Sequence, residues 1–177
     1  MTTTAELRRQ LSEFDGKHTD VLQRTSDEVQ GTAIEIRALI KLSGSSDVTL
    51  QTGATWVLKN LQECGLHFSD AQTTKLLALL DGFSHWEPIL HVLQMMPEWK
   101  INKSQQAALR TTLDRLRTDD KKLVRAWAYN GLIALANQQP ALRDEVRAWV
   151  TQDLHQEAAS VQARVRNAIR QTDWISV

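Results

Sequence analysis

The feature that most constrains this chain is a short pattern that occurs twice in its C-terminal half. Val124-Arg125 lies within the segment 123–132, and Val165-Arg166, 41 residues later, begins a partial copy at 165–169. That interval has room for one helical hairpin, and helical pairs that recur every ~40–47 residues are typical of stacked-helix solenoids. Such hairpins bury apolar surface only against their neighbours, which leaves a long ridged face for a partner.

Helical spacing of apolar residues extends along the whole chain and predicts about nine helices joined by short loops. The segment from about 20 to 42 is predicted as one helix that Gly31 can split, since glycine weakens a helix interior. Residues 75–80 are apolar nearly all round, which indicates an inner helix. Ser84 and Glu87 have the spacing of a capping box, which predicts a helix start at Ser84.

The segment 120–171 resembles HEAT repeats of the armadillo-type superhelix class. The first helix of such a repeat opens with Asp, continues with Val-Arg and adds small residues and leucines. Here those places are taken by Asp120, Val124, Arg125, Ala128, Leu132 and Leu135, and in the partial copy by Val165, Arg166 and Ala168.

The resemblance implies an all-α fold, a HEAT-like right-handed α-α superhelix of about four helical hairpins. The hairpins would occupy 46–177 and an N-terminal helical cap 1–45, within a single domain over 1–177. It also implies that Arg125 can reach an Asp side chain or a helix C-terminal carbonyl group of the neighbouring repeat. A helical bundle without regular stacking is the alternative architecture.

Size and composition place the chain among single-domain proteins of the cytoplasm. It has 177 residues, no apolar run near the ~20 residues that span a bilayer, and an N-terminus unlike a signal peptide. Cys64 is the single cysteine, which excludes an internal disulfide and predicts a reducing compartment. We expect Cys64 to be a small buried residue, and we expect no contact with a membrane.

Charge is balanced over the chain and unevenly distributed along it. Residues 1–99 carry 8 Lys and Arg against 13 Asp and Glu, whereas residues 100–177 carry 13 against 8. A basic C-terminal half could attract an anionic partner. Ordinary decoration of solvated helix faces accounts for the same asymmetry.

No motif in the sequence predicts catalysis, a metal site or a cofactor. The five histidines include no pair at i, i+4, and the seven glycines form neither a dinucleotide fingerprint nor a phosphate loop. Glu87 and His91 are four residues apart and are predicted to form an exposed ion pair on one helix.

Candidate partner-binding residues come from the six tryptophans and the C-terminal arginines. Trp86, Trp127 and Trp149 fall on apolar stripes and are predicted to pack in the core, whereas Trp99 and Trp174 do not and are predicted to contact a partner. Two arginine pairs at i, i+4, Arg143 with Arg147 and Arg166 with Arg170, complete the predicted partner surface.

These observations favour a protein–protein interaction adaptor or scaffold without catalytic activity, with a partner of unknown identity and an oligomeric state left open. The main alternative is a nucleic-acid-binding module related to the HEAT-like DNA alkylation-repair glycosylases, although their catalytic Asp and Trp pattern has no match here. Its basic surface would comprise Arg110, Arg115, Arg117, Lys121, Lys122, Arg125, Arg143, Arg147, Arg164, Arg166 and Arg170. A third possibility is a bilin-handling accessory factor or lyase, for which the sequence specifies no chromophore pocket.

Overall fold

The structure is a computed structural model that describes residues 2–176, and over those residues it is all-helical, with ten α-helices and no strand. Within the same residues, four short 3₁₀ turns lie in connections between helices. The helices are α1 (Thr4–Leu11), α2 (Asp20–Glu28), α3 (Ala33–Ser43), α4 (Val48–Glu63), α5 (Asp70–Ala78), α6 (Trp86–Met95), α7 (Lys103–Leu116), α8 (Lys122–Gln138), α9 (Arg143–Asp153) and α10 (Ala159–Ile169). The prediction of an all-α fold is therefore confirmed.

Local chemistry explains where α2 ends and α3 begins. Gly31 has φ +74°, a left-handed conformation that glycine adopts without a steric cost, so the segment predicted over 20–42 is split there. Thr32 and Glu35 then form a capping box, in which each side chain accepts a hydrogen bond from the other residue's backbone N–H. The Glu35 carboxylate also accepts a hydrogen bond from the Thr2 backbone N–H at 2.7 Å.

Residues Met1–Met95 form a compact N-terminal unit whose central helix is α4. Helices α1, α2, α3 and α6 all pack against α4, and α3 also packs against α5. Gly53 of α4 permits the approach of α1 and α2, because a Cβ there would lie 3.1 Å from the side chains of Leu11 and Leu22.

Residues Met96–Val177 form a compact C-terminal unit built around α8. Helices α7, α9 and α10 pack against α8, and the two repeated valines, Val124 and Val165, are both 0% exposed. Gly131 lets α7 lie close to α8, because a Cβ there would be 3.0 Å from Leu113 Cδ2. No helix within residues 2–176 has the length and apolar character required to cross a membrane.

Candidate functional site

Ion pairs occupy several of the arginines that the sequence assigned to a basic surface. Arg110 of α7 pairs with Glu145 of α9, and Arg117, the residue after α7, pairs with Asp153 of α9 at 2.8 Å. The guanidinium carbons of Arg110 and Arg117 also lie 5.6 and 4.7 Å from the centroid of the Trp149 ring. These contacts hold α7 and α9 together and neutralise charge that a phosphate backbone would need.

Arg125, near the start of α8, donates hydrogen bonds to both a carboxylate and backbone carbonyl groups. Its guanidinium donates two hydrogen bonds to the Glu157 carboxylate, at 2.8 and 2.9 Å, and two more to the carbonyl oxygens of Asp119 and Asp120. Bidentate guanidinium–carboxylate pairs are among the stronger polar contacts in proteins. Arg125 thus joins the start of α8 to the loop before α10.

Tyr129 lies beside this ion-pair cluster, 2% exposed, and donates a hydrogen bond from its hydroxyl to Asp153 Oδ2 at 3.0 Å. Burial and the negative charge of Asp153 raise the pKa of Tyr129 to about 12. The phenol therefore keeps its proton near neutral pH. A polar cleft of about 480 Å³ adjoins Tyr129, Arg117 and Arg125.

The predicted pair Arg143 and Arg147 is engaged with the C-terminal segment of its own chain. Arg147 donates a hydrogen bond to the Trp174 carbonyl oxygen at 2.7 Å and pairs with Asp144, while the Arg143 guanidinium carbon lies 5.7 Å from the centroid of the Trp174 ring. The Trp174 indole N–H donates to Asn137 Oδ1 at 2.6 Å. Trp174 is half-buried and helps fasten residues 172–176 to the ends of α8 and α9.

The second predicted pair, Arg166 and Arg170, is exposed on α10 and has only neutral side-chain partners within the described residues. Arg166 donates to Gln162 Oε1 at 2.9 Å, and Arg170 donates to Asn167 Oδ1 at 3.1 Å. Both arginines line a cleft of about 280 Å³ that also includes Ile169 and Ile175. Arg166 and Arg170 therefore remain available to an external carboxylate.

The prediction that Trp99 contacts a partner is wrong with respect to accessibility, because Trp99 is 5% exposed. Its backbone is held as well, since the Trp99 carbonyl accepts a hydrogen bond from Gln138 Nε2 at 2.9 Å. The position next to Pro97 and Glu98 interrupts the helical pattern, which is why periodicity alone did not reveal the burial.

Trp127 and Trp149, which the sequence predicts to pack in the core, are only partly buried. The Arg164 guanidinium carbon lies 4.1 Å from the centroid of the Trp127 ring, a cation–π distance. Leu123, one turn before Trp127, is 44% exposed. The i, i+4 spacing of Leu123 and Trp127 was the available signal for this accessible apolar patch.

Two further predictions about single residues are wrong. Cys64 is exposed at the end of α4, not buried. His91 is 8% exposed and bonds through Nδ1 to Thr55 Oγ1 at 2.9 Å, so it forms no exposed pair with Glu87. The Glu87 carboxylate lies instead 3.5 Å from His85 Nδ1. Within residues 2–176, no cluster of three or more His, Cys, Asp or Glu side chains is arranged to hold a metal ion.

Comparisons with known proteins assign this chain to no family, so only its fold class is defined. No family model matches this chain, and neither a curated protein nor a solved structure matches it significantly. The fold and the surfaces described above define an all-helical protein with an exposed basic helix near its C-terminus.

Proposed function

We propose that this protein is a HEAT-like helical-repeat adaptor that binds another protein and has no catalytic activity. The order of helix packing within each unit supports the repeat. In the N-terminal unit α2 packs on α4 and α4 on α6, and in the C-terminal unit α8 packs on α10, so alternate helices lie side by side. Stacked hairpins produce this alternation, because equivalent helices of successive repeats form one layer.

The partner surface that we propose is the solvent face of α10. The observation that supports it is that Arg166 and Arg170 are exposed and have neutral hydrogen-bond partners. Helix α10 together with Arg170, the residue that follows it, contains three basic residues over 159–170 and no acidic residue. Arg166 and Arg170 are exposed and bonded only to neutral amide side chains within the described part of the chain. An acidic protein surface would provide the carboxylates that α10 itself lacks.

This proposal reduces the partner surface predicted from the sequence to Arg166, Arg170 and the face of α10 around them. The segment 172–176 forms one wall of the cleft beside Arg170. Its position is stabilised by contacts of Arg143 and Arg147 with Trp174. Binding through α10 also agrees with the basic excess of the C-terminal unit, because long-range attraction accelerates the encounter with an acidic partner.

The test compares partner capture by the wild-type chain and by the double variant R166E/R170E, with proteins retained from the native source identified by mass spectrometry. We expect the variant to lose a specific retained protein. The control variant K121E/K122E changes the same number of exposed charges in the same unit and should retain that protein. Equal capture by wild type and R166E/R170E would refute the α10 surface.

Duplex DNA provides the second arm of the experiment. A protein surface that contacts DNA phosphates loses affinity steeply with salt. The logarithm of its binding constant falls linearly with the logarithm of the salt concentration, with a slope of about −0.9 per phosphate contacted. Salt-dependent DNA binding that disappears in R166E/R170E would replace the adaptor proposal with the nucleic-acid-binding alternative.

A further inference from the structure

A groove in the N-terminal unit, separate from the α10 surface, combines positive charge with apolar side chains. It lies between α3 and α5, has a volume of about 350 Å³, and is called the α3–α5 groove below. The two helices run in the same direction, because the start of α3 adjoins Ser69 before α5, and Gly44 after α3 faces Leu79 after α5. Its lining includes the side chains of Ala33, Arg37, Ile40, Lys41, Ala71 and Lys75.

The charge of the groove is opposite to that of the unit around it. Residues 1–95 carry 8 Lys and Arg against 12 Asp and Glu, yet Arg37, Lys41 and Lys75 all line this groove, and no Asp or Glu does. Across residues 2–176, none of these three side chains has an ion pair or hydrogen bond with another residue. Three adjacent cations without carboxylate partners form a local site for an anionic group.

The apolar side chains of the groove restrict the kind of anion that fits. Ala33 and Ala71 are small and leave the space open, and Ile40 is 8% exposed at its base. Ile34 is 53% exposed one turn before Arg37, beside the groove on the same helix. A ligand that covers these residues must therefore present apolar groups next to its negative charges.

We propose that the α3–α5 groove binds an acidic amphipathic segment of a partner protein. Arg37 and Lys41 are four residues apart on α3, and Lys75 faces them from α5, so they match carboxylates spaced by one helical turn on a bound peptide helix. Apolar side chains of the same peptide would cover Ile34 and Ile40. Helix α3 has 11 residues, which corresponds to about 16 Å or three turns of peptide.

The acidic surroundings favour a short peptide over a long polyanion. A nucleic acid or an anionic membrane would extend beyond the groove and meet the net negative charge of the rest of the unit, which repels it. A peptide of three turns can place its carboxylates over the three cations without covering that acidic surface. This inference does not depend on the α10 surface, and each surface has its own variants.

The test uses fluorescence anisotropy with a labelled 14-residue peptide that contains two copies of Glu-Leu-Leu-Glu-Glu-Ala-Leu, added to the full chain at low ionic strength. We expect saturable binding that weakens at least about tenfold in the double variant R37E/K75E, because charge reversal opposes the carboxylates. The control variant R8E/R24E reverses two exposed cations of α1 and α2 in the same unit and should bind as wild type does. Circular dichroism establishes that both variants remain helical.

Amide chemical shifts of individual residues test where on the protein the peptide binds. Amide shifts in a ¹⁵N–¹H spectrum on addition of the peptide should concentrate in α3 and α5. No binding by the wild type, equal loss in both double variants, or shifts located elsewhere would overturn the proposal. A peptide with Gln at every Glu position should not bind, and groove-dependent binding of single-stranded DNA or of phosphatidylserine vesicles in place of the peptide would also overturn it.

Discussion

His91 is a buried histidine that its environment keeps neutral. The ring lies on α6 with Nδ1 2.9 Å from Thr55 Oγ1, and the Thr55 hydroxyl is also 2.8 Å from the Gln51 carbonyl oxygen. Because a hydroxyl has one proton and the carbonyl can only accept, this arrangement favours donation from the histidine ring to Thr55. Burial, with a smaller effect from the charge of Lys59, lowers the pKa of His91 to about 3.

The neutral state of His91 makes stability depend on pH. In the unfolded chain its pKa returns to the ordinary value of about 6.5, so acid favours the unfolded state between about pH 6.5 and pH 3. We expect the free energy of unfolding to fall by up to about 1.4 kcal/mol per pH unit in that window because of this one group. In H91Q this component should vanish, which urea titrations at several pH values between 4 and 7 would measure.

We expect H91Q to be less stable than wild type at every pH. The quantity to compare is therefore the slope of the free energy of unfolding against pH. The control variant H67Q removes an exposed histidine instead, and its slope is measured beside those of wild type and H91Q. If wild type and H91Q lose stability with acid at the same rate, His91 is not held neutral in the folded chain.

At the scale of helices, the ion pairs of the C-terminal unit link elements that are far apart in sequence. The Arg125–Glu157 pair is the best shielded of them, with side-chain exposures of 23% and 12%, and it connects α8 to the loop before α10. Arg9 of α1 and Glu13, two residues after the end of α1, form a pair at 2.6 Å with exposures of 61% and 48%. Shielding from water is the difference that should determine the contribution of each pair to stability.

We therefore expect E157Q to lower the free energy of unfolding by about 1–3 kcal/mol, because Arg125 would keep its charge and lose the carboxylate that balances it. The matched substitution E13Q should change it by less than about 1 kcal/mol, since water screens the pair that it breaks. Urea denaturation followed by circular dichroism measures both. Equal effects of E157Q and E13Q would contradict this account of the cluster.

Helix boundaries show how far local sequence signals reach. The split at Gly31 followed from glycine chemistry, and the structure confirms it. Capping boxes at Thr32–Glu35 and Ser69–Gln72 were missed, whereas α6 begins at Trp86, so the residue before it is His85 and not the predicted Ser84. The same Ser/Thr-x-x-Glu/Gln spacing occurs at all these places, so the spacing alone does not specify where a helix begins.

For the whole molecule, apolar spacing predicts the helical content, but it does not predict the accessibility of Trp99 and Trp149. Trp149 carries the stripe pattern of a core residue, but Arg110 and Arg117, which are more than 30 positions away in sequence, cover it. Trp99 lies outside any stripe and is buried. Periodicity specifies which side of a helix faces inward, and it contains no information about which distant side chain completes the environment.

Opposite charges in the two units lead to a prediction for the molecule in solution. The net charge of the chain is zero at pH 7, with the N-terminal unit at −4 and the C-terminal unit at +4 from the residues of 1–95 and 96–177. Repulsion between molecules is then minimal, and unlike units of different molecules attract each other. We expect a negative second virial coefficient in static light scattering at about 0.01 M salt, where the Debye length is about 30 Å.

Salt and charge reversal should both abolish this attraction. At about 0.15 M salt the Debye length falls to about 8 Å, and the coefficient should rise towards zero. In R166E/R170E each reversal removes two units of charge, so the C-terminal unit becomes neutral and the molecule has a net charge of −4, which should make the coefficient positive at low salt. A coefficient that does not change with salt, or that is equal in wild type and R166E/R170E, would show that the uneven charge of the two units does not control how these molecules interact.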